Sequence, residues 1–235
     1  MPPFLIFIFL FLLSRFLFLS EGHPLSVMRW GVKCLVDVAV LLVVFGISPE
    51  SLFFCLTTLV ANTAILLSEV FEKGANPRTR SLSLIVVILL ATILMDRLLV
   101  YGVIPTNWLN MGPAMLALIC SVLLCLKESN FLIRWFFEHN RLIEKIEEAD
   151  SKTENGRIIG NLERVLLIFF LWQGAAVAAT FIVAIKGLAR FKKMEEEQAF
   201  AEYVIIGTFL SVLITLVIFQ LTRFWIGAPG VTLSL

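Results

Sequence analysis

Charged residues and histidine are scarce in this sequence. Only 16% of its 235 residues are charged and only 2 are histidine, whereas 59% are hydrophobic. A soluble globular domain is about a quarter charged and about half apolar. A soluble fold of this size could not bury so much apolar surface, because its surface-to-volume ratio limits the buried fraction. The composition excludes an ordinary water-soluble domain and predicts that lipid solvates the outer faces.

Catalytic and metal-binding patterns are also missing. His23 and His139 are far apart in the sequence, so this chain alone cannot supply a zinc site with two or three histidines. No HExxH, GxSxG, Walker A or dinucleotide-binding motif occurs. These patterns predict a protein with no catalytic residues, cofactor or metal. The formal net charge of +1 gives no indication of nucleic-acid binding.

The four cysteines all lie in apolar runs. They are Cys34, Cys55, Cys120 and Cys125, and none has a histidine at metal-ligand spacing. We expect them to be small buried hydrophobic residues rather than disulfide partners.

Six apolar runs are long enough to cross a bilayer, for which about 20 residues are needed. They are continuously apolar rather than alternating, which favours helices over a β-barrel. The runs are Trp30–Ile47, Ser51–Ser68, Leu82–Val100, Trp108–Leu126, Val165–Ile185 and Tyr203–Leu221. The sequence therefore predicts an all-α fold, a polytopic transmembrane helical bundle with six core spans.

The N-terminal run Phe4–Leu19 allows three interpretations. Arg15 interrupts it, and no basic residue precedes it, whereas a signal peptide normally has a basic region there. The readings are a cleaved signal, an uncleaved helix with its N-terminus outside, and a segment along the membrane interface. The whole chain is predicted to comprise an N-terminal hydrophobic segment (1–28), a four-span bundle (29–126), a charged amphipathic segment (127–161) and a two-span hairpin (162–235).

Lysine and arginine in the connections predict the orientation. With six spans, thirteen of these residues fall on one side and five on the other, so the first side is predicted to be the cytoplasm. The segment 127–161 would then be cytoplasmic, either as a connector with an apolar underside or as a docking surface. The basic segment Lys186–Lys193 conflicts with this assignment, because it falls outside.

Polar residues inside a membrane are candidates for function. Asp37 follows Lys33 by four residues, which allows an ion pair on one helix face; the alternative is a proton- or cation-binding Asp37. Asn62 lies inside the second span, where an amide can hydrogen-bond between helices.

Two further polar positions are candidates. Asp96 and the adjacent Arg97 lie near the outer end of the third span, where they can be interfacial. Gln173 lies near the middle of the fifth span, as structural glue or as a ligand site.

Small residues recur along the last two spans. Gly207, Ser211 and Thr215 are four residues apart on the sixth span, and Gly174 and Ala178 repeat that spacing on the fifth. Such faces let helices approach closely, which predicts a tight hairpin of these two spans or self-association. An ion pair between Lys186 and Glu202 is predicted across their loop.

Three ordered motifs carry a family resemblance. GRIIGNLER at 156–164, KGLARF at 186–191 and AEYVIIGT at 201–208, followed by Ser211, resemble a bacterial integral-membrane protein family of unknown function. The resemblance covers about a quarter of the chain and implies a bacterial inner-membrane location. It gives weight to a set of motif residues: Arg157, Glu163, Arg164, Lys186, Arg190, Glu202 and Tyr203.

Two classes of function fit these patterns. The first is a non-enzymatic scaffold or accessory subunit whose partners are the lipid bilayer and other membrane subunits, or a second copy. The alternative is a small transporter or oligomeric channel lined by Asp37, Asn62, Asp96 and Gln173. The lack of an evident internal repeat, and of any proline inside the spans except Pro113 near the start of the fourth, disfavours a transporter. A membrane effector or signalling protein is the third hypothesis.

Overall fold

The computed structural model describes residues 2–19, 23–72, 74–94, 112–140 and 154–227. Within these ranges every regular element is a helix, which confirms the all-α prediction. The helices are α1 (Pro2–Phe18), α2 (Val27–Phe45), α3 (Pro49–Glu72), α4 (Pro77–Ile93), α5 (Pro113–His139), α6 (Glu154–Trp172), α7 (Ala176–Glu196) and α8 (Gln198–Trp225).

Three of the described helices are long and apolar enough to cross a membrane. They are α3, α5 and the Phe200–Trp225 part of α8. A shorter apolar helix, Phe4–Phe18, lies within α1. These lengths and compositions agree with an integral membrane protein, while the count of six core spans stays a prediction.

The predicted fifth span, Val165–Ile185, is wrong as a single helix. Its apolar run folds back on itself, because α6 ends at Trp172 and α7 begins at Ala176. Gly174 lies between them with φ of +73°, a left-handed conformation that glycine adopts without steric cost. The backbone N–H groups of residues 173–175 donate to carbonyls in the last turns of α6, so the turn is closed by its own hydrogen bonds.

α5 continues beyond the predicted end of the fourth span at Leu126. Residues Leu124–Glu128 form a π turn inside it, an irregularity that is rare and often occurs at functional sites. The hydroxyl of Ser129 donates to the carbonyl of Leu124 at 2.9 Å. The helix then runs on to His139, so the first residues of the predicted 127–161 segment are part of a long helix.

The helices divide into two compact units. Unit 1 comprises Met1–Leu123 and Arg223–Leu235, and unit 2 comprises Leu124–Thr222. In unit 1, α1 packs against α2 and the Pro113–Leu123 part of α5. The ring of Phe7 is 1% exposed and lies 5.5 and 5.4 Å from the rings of Phe45 and Phe54. α1 is therefore a packed core helix of this unit.

A tight turn joins α2 to α3 in unit 1. Gly46 ends α2 with φ of +68°, and Pro49 is the first residue of α3. Ser48 and Ser51 exchange hydrogen bonds, each backbone N–H donating to the other hydroxyl at 2.8 and 3.1 Å. This reciprocal cap satisfies the first N–H groups of α3 and sets α2 and α3 as packed neighbours.

Candidate functional site

Asp37 is the centre of a buried polar network in unit 1. It forms an ion pair with Lys33 on the same helix, which confirms the prediction from their spacing. Ser14 of α1 donates to Asp37 Oδ1 at 2.6 Å, and Asn62 of α3 donates to Oδ2 at 2.8 Å. All four side chains are buried. The carboxylate thus joins three helices and accepts from three donors.

The second buried network of unit 1 is built on Glu69 and Arg80. The Arg80 guanidinium donates to both carboxylate oxygens of Glu69, from Nε at 2.5 Å and from Nη2 at 3.0 Å. Glu69 also accepts from the backbone N–H of Leu25 at 2.6 Å, and Arg80 donates to the carbonyl of His23 at 2.9 Å. Two parallel hydrogen bonds of this kind fix the orientation of the guanidinium relative to the carboxylate. It ties the α1–α2 connection to α3 and α4.

Arg15 extends this second network towards α1. Its guanidinium donates to the carbonyl of Arg80 at 2.9 Å and to the hydroxyl of Ser83 at 3.1 Å. Arg15 is 1% exposed, and its charged group lies 5.9 Å from the ring centre of Phe11. The arginine that interrupts the N-terminal apolar run is therefore a buried connector between α1 and α4.

Arg164 is the corresponding buried node of unit 2. It is 4% exposed and donates from Nε to the carbonyl of Cys125, within the π turn, at 2.8 Å. Its Nη2 donates to Asn130 and, at 2.6 Å, to Asn161. Its Nη1 lies 3.5 Å from the hydroxyl of Ser211. One side chain of α6 therefore binds both α5 and α8.

Glu163 and Lys186 form an ion pair across the α6–α7 hairpin. The ammonium nitrogen lies 2.5 Å from a carboxylate oxygen, and the two side chains are 17% and 19% exposed. Both line a small cleft with Thr208 and Ser211 of α8, and its other walls are apolar. The cleft volume is about 10 Å³, roughly the space for one water position.

The predicted ion pair between Lys186 and Glu202 is wrong. Lys186 lies in the middle of α7 rather than at the edge of a loop, so it faces Glu163 of the neighbouring arm. Glu202 is exposed and accepts from Gln198 at 3.2 Å, one turn earlier on α8.

Gln173 and Gly174 are not in a helix interior, contrary to prediction. Both are exposed and lie in the turn between α6 and α7. Gly174 is therefore not part of a helix-packing face. Ala178 lies on the first turn of α7 and is half-buried.

The small-residue face of α8 packs within this chain. A methyl group added to Gly207 would lie 3.4 Å from the Phe137 ring of α5. Ser211 is buried beside Arg164, and Thr215 is buried with its hydroxyl donating to the carbonyl of Ser211 at 2.8 Å. Side chains of α5 and α6 cover this face, whereas the close backbone approach expected for it is not among the helix pairings of the described residues. The tight hairpin is the one between α6 and α7.

The other motif residues fall at several places in unit 2. The ring of Tyr203 lies 4.9 Å from that of Phe137. Arg157 is exposed near the start of α6, and Arg190 is half-buried on α7. The candidates Asp96 and Arg97 lie outside the described residues.

Sequence reasoning missed seven network residues: Ser14, Arg15, Glu69, Arg80, Ser83, Asn130 and Asn161. Glu69 and Arg80 flank a short connection between two helices, and their opposite charges, eleven residues apart, were the available signal. Ser14 and Asn130 carry no such signal, because their partners are distant in the sequence. Among the described residues no group of three or more metal-ligating side chains converges, and the four cysteines are buried.

No family model, curated protein or solved structure matches the chain. The resemblance of its C-terminal motifs to a bacterial membrane-protein family therefore stays a prediction. The geometry nevertheless brings the three motifs together, since Glu163 and Arg164 of the first contact Lys186 of the second and Ser211 beside the third.

Proposed function

We propose that this chain is a non-enzymatic integral membrane protein that serves as a scaffold or accessory subunit of a membrane complex. The observation that carries the proposal is the buried network of three donors around Asp37. Its carboxylate accepts from Ser14, Lys33 and Asn62, and a cation site there would have to break this network. Because the carboxylate is already paired and hydrogen-bonded across three helices, an architectural role for Asp37 is favoured over passage.

The cleft of unit 2 supports the same proposal. Its polar side chains are already engaged: Glu163 with Lys186, Thr208 with the carbonyl of Val204 at 2.7 Å, and the Ser211 hydroxyl with Arg164 at 3.5 Å. A substrate site typically has a volume of about 300–1,000 Å³, far more than this cleft offers. Passage would require a conformation that opens the ion pair.

The outer face of α7 is the candidate contact surface for a partner helix. Thr180 and Ala184 are exposed, and a methyl group added to Gly187 would meet no atom within 4 Å. Small side chains at this spacing permit close helix packing in a membrane. Other side chains of this chain already cover the small-residue face of α8, whereas the small-residue face of α7 is open to a partner.

A pair of glycine substitutions tests the proposal. Gly187→Leu should leave the isolated chain folded but dissociate its complex, because the bulk projects outward. Gly207→Leu should instead destabilise the chain by about 1–3 kcal/mol, because the added atoms meet Phe137 in a packed interior. Cross-linking in native membranes reports assembly, and unfolding in mixed micelles reports stability. An unchanged cross-linking pattern for Gly187→Leu would refute α7 as the contact surface.

A further inference from the structure

We infer that both α6 and α7 cross the bilayer. The Glu163–Lys186 ion pair then lies near mid-membrane. The turn 173–175 lies at one membrane face, and the start of α6 and the end of α7 lie at the other. The two helices pack side by side. Glu163 and Lys186 are placed symmetrically about the turn, eleven residues from Gly174 and Ala175 respectively. The arms are therefore antiparallel, and Gly156 and Arg190 lie towards the same end.

Contacts within unit 2 align this hairpin with α8, a candidate span. At one end, the Tyr203 ring of α8 lies against Phe137 of α5, 4.9 Å between centres. At the other end, Trp172 at the close of α6 lies 5.8 Å from Phe219 of α8. The start of α8 is therefore level with the end of α5, and the hairpin turn is level with the far part of α8.

The distance between these two levels is close to the thickness of a membrane. Sixteen residues separate Tyr203 from Phe219, which is about 24 Å along a helix at about 1.5 Å per residue. The hydrocarbon core is about 30 Å thick. A hairpin that penetrated only half of the bilayer would place Trp172 near the middle of α8, beside Ser211, rather than beside Phe219.

Ser211 instead marks the middle level, where Arg164 approaches it. Three charged residues of the hairpin are therefore at mid-depth: Glu163, Arg164 and Lys186. Such charges are tolerated in a membrane when they are paired or hydrogen-bonded, and all three are. Hydropathy counts them as penalties, which explains why neither arm stands out as a span by composition.

The outward apolar side chains of α7 support the same placement. Val177, Phe181 and Leu188 are 83%, 65% and 74% exposed and fall on one side of the helix, next to the Thr180–Ala184–Gly187 surface. Acyl chains would cover them if the arm crosses the hydrocarbon. Apolar side chains of α8 are exposed in the same way, such as Phe209 and Leu213 at 70% and 59%.

The double crossing also removes the conflict in the distribution of basic residues. A single span at Val165–Ile185 puts Arg190, Lys192 and Lys193 on the side opposite Arg157. With two crossings these three residues return to the side of Arg157, Arg223 moves to the opposite side, and Arg164 and Lys186 lie within the membrane. The resulting asymmetry is stronger, as the positive-inside rule expects.

Single introduced cysteines test the inference. Arg157→Cys, Gln173→Cys and Lys192→Cys each replace an exposed residue, and the wild-type chain, whose four cysteines are buried, serves as the blank. Each variant is treated with a membrane-impermeant maleimide in right-side-out and in inside-out vesicles. We expect positions 157 and 192 to react from one side and position 173 from the other.

Each remaining outcome overturns the inference. Reaction of positions 157 and 192 from opposite sides would restore a single span. Reaction of position 173 from the same side as the other two would place the hairpin outside the membrane. Reaction of position 173 only with a membrane-permeant maleimide would show a re-entrant hairpin that stops within the bilayer. The readout does not depend on assembly, so it is independent of the proposed scaffold function.

Discussion

Replacing Asp37 by asparagine would remove one charge from the buried network of unit 1 and leave its shape nearly unchanged. Asparagine keeps an oxygen that accepts from Ser14 or Asn62. Lys33, whose side chain is fully buried, would lose its counter-ion. The structure therefore predicts that the cost of this substitution arises from an uncompensated ammonium group, not from lost packing.

The expected magnitude follows from that uncompensated charge. Breaking a buried ion pair by removing one partner costs about 3–5 kcal/mol, whereas replacing both partners by uncharged groups is often nearly neutral. The folded-to-unfolded ratio of Asp37→Asn should therefore fall by about two to four orders of magnitude. The double variant Lys33→Met/Asp37→Asn should regain most of that loss.

Equilibrium unfolding in mixed micelles of increasing sodium dodecyl sulfate fraction would measure both variants, with the 5 tryptophans as the fluorescent reporter. A double-mutant cycle isolates the coupling between the two side chains. The reasoning is refuted if Asp37→Asn is as stable as the wild type, or if the double variant is no more stable than Asp37→Asn. Either result would favour the alternative in which Asp37 binds a proton or a cation.

Two further predictions use the same unfolding measurement. Phe7→Ala removes a ring that is 1% exposed in the core of unit 1 and should lower the free energy of unfolding by about 3–5 kcal/mol. The control Phe71→Ala, at an 82% exposed position of α3, should change it by less than about 0.5 kcal/mol. Equal losses in the two variants would contradict the central position of α1. Glu163→Gln should cost about 1–3 kcal/mol, because Lys186 loses its counter-ion. This cost is smaller than for Asp37→Asn because the Lys186 side chain is 19% exposed whereas that of Lys33 is fully buried. The exposed control Glu195→Gln should have no measurable effect, and a loss of the same size there would count against the ion pair as the cause.

The part of the site that the sequence predicted rests on local spacing. Lys33 and Asp37 are four residues apart on one helix, so their pairing follows from helix geometry alone. Asn62 was expected to hydrogen-bond between helices because a buried amide has few other options. Helix geometry restricts the partner of Asp37, and the apolar surroundings restrict the partners of Asn62.

The part that failed depends on the backbone of a single glycine. The apolar run Val165–Ile185 continues through residues 173–175, and glycine is common in membrane helices. Nothing in the hydropathy of that run distinguishes a continuous helix from a turn at Gly174. The charges flanking the run were the missed signal, since Glu163 and Lys186 are equidistant from the turn and of opposite sign.

Long-range partners were also beyond the reach of sequence patterns. Arg164 donates a hydrogen bond to a carbonyl within the π turn of α5. No residue type in Leu124–Glu128 predicts that the helix forms a π turn there. Arg15 contacts α4 from α1, 65 residues away. Such contacts are set by how helices pack, and packing depends on side-chain shape that one sequence does not reveal.

The mass of the wild-type particle in native lipid is the most direct test of the scaffold proposal. The chain would be extracted from its own membrane with a copolymer that retains surrounding lipid, and the particle would be weighed by native mass spectrometry. We expect a mass above that of one 26.4 kDa chain with its lipid, from a second copy or from partner subunits. Particles that contain a single copy and nothing else but lipid would contradict it.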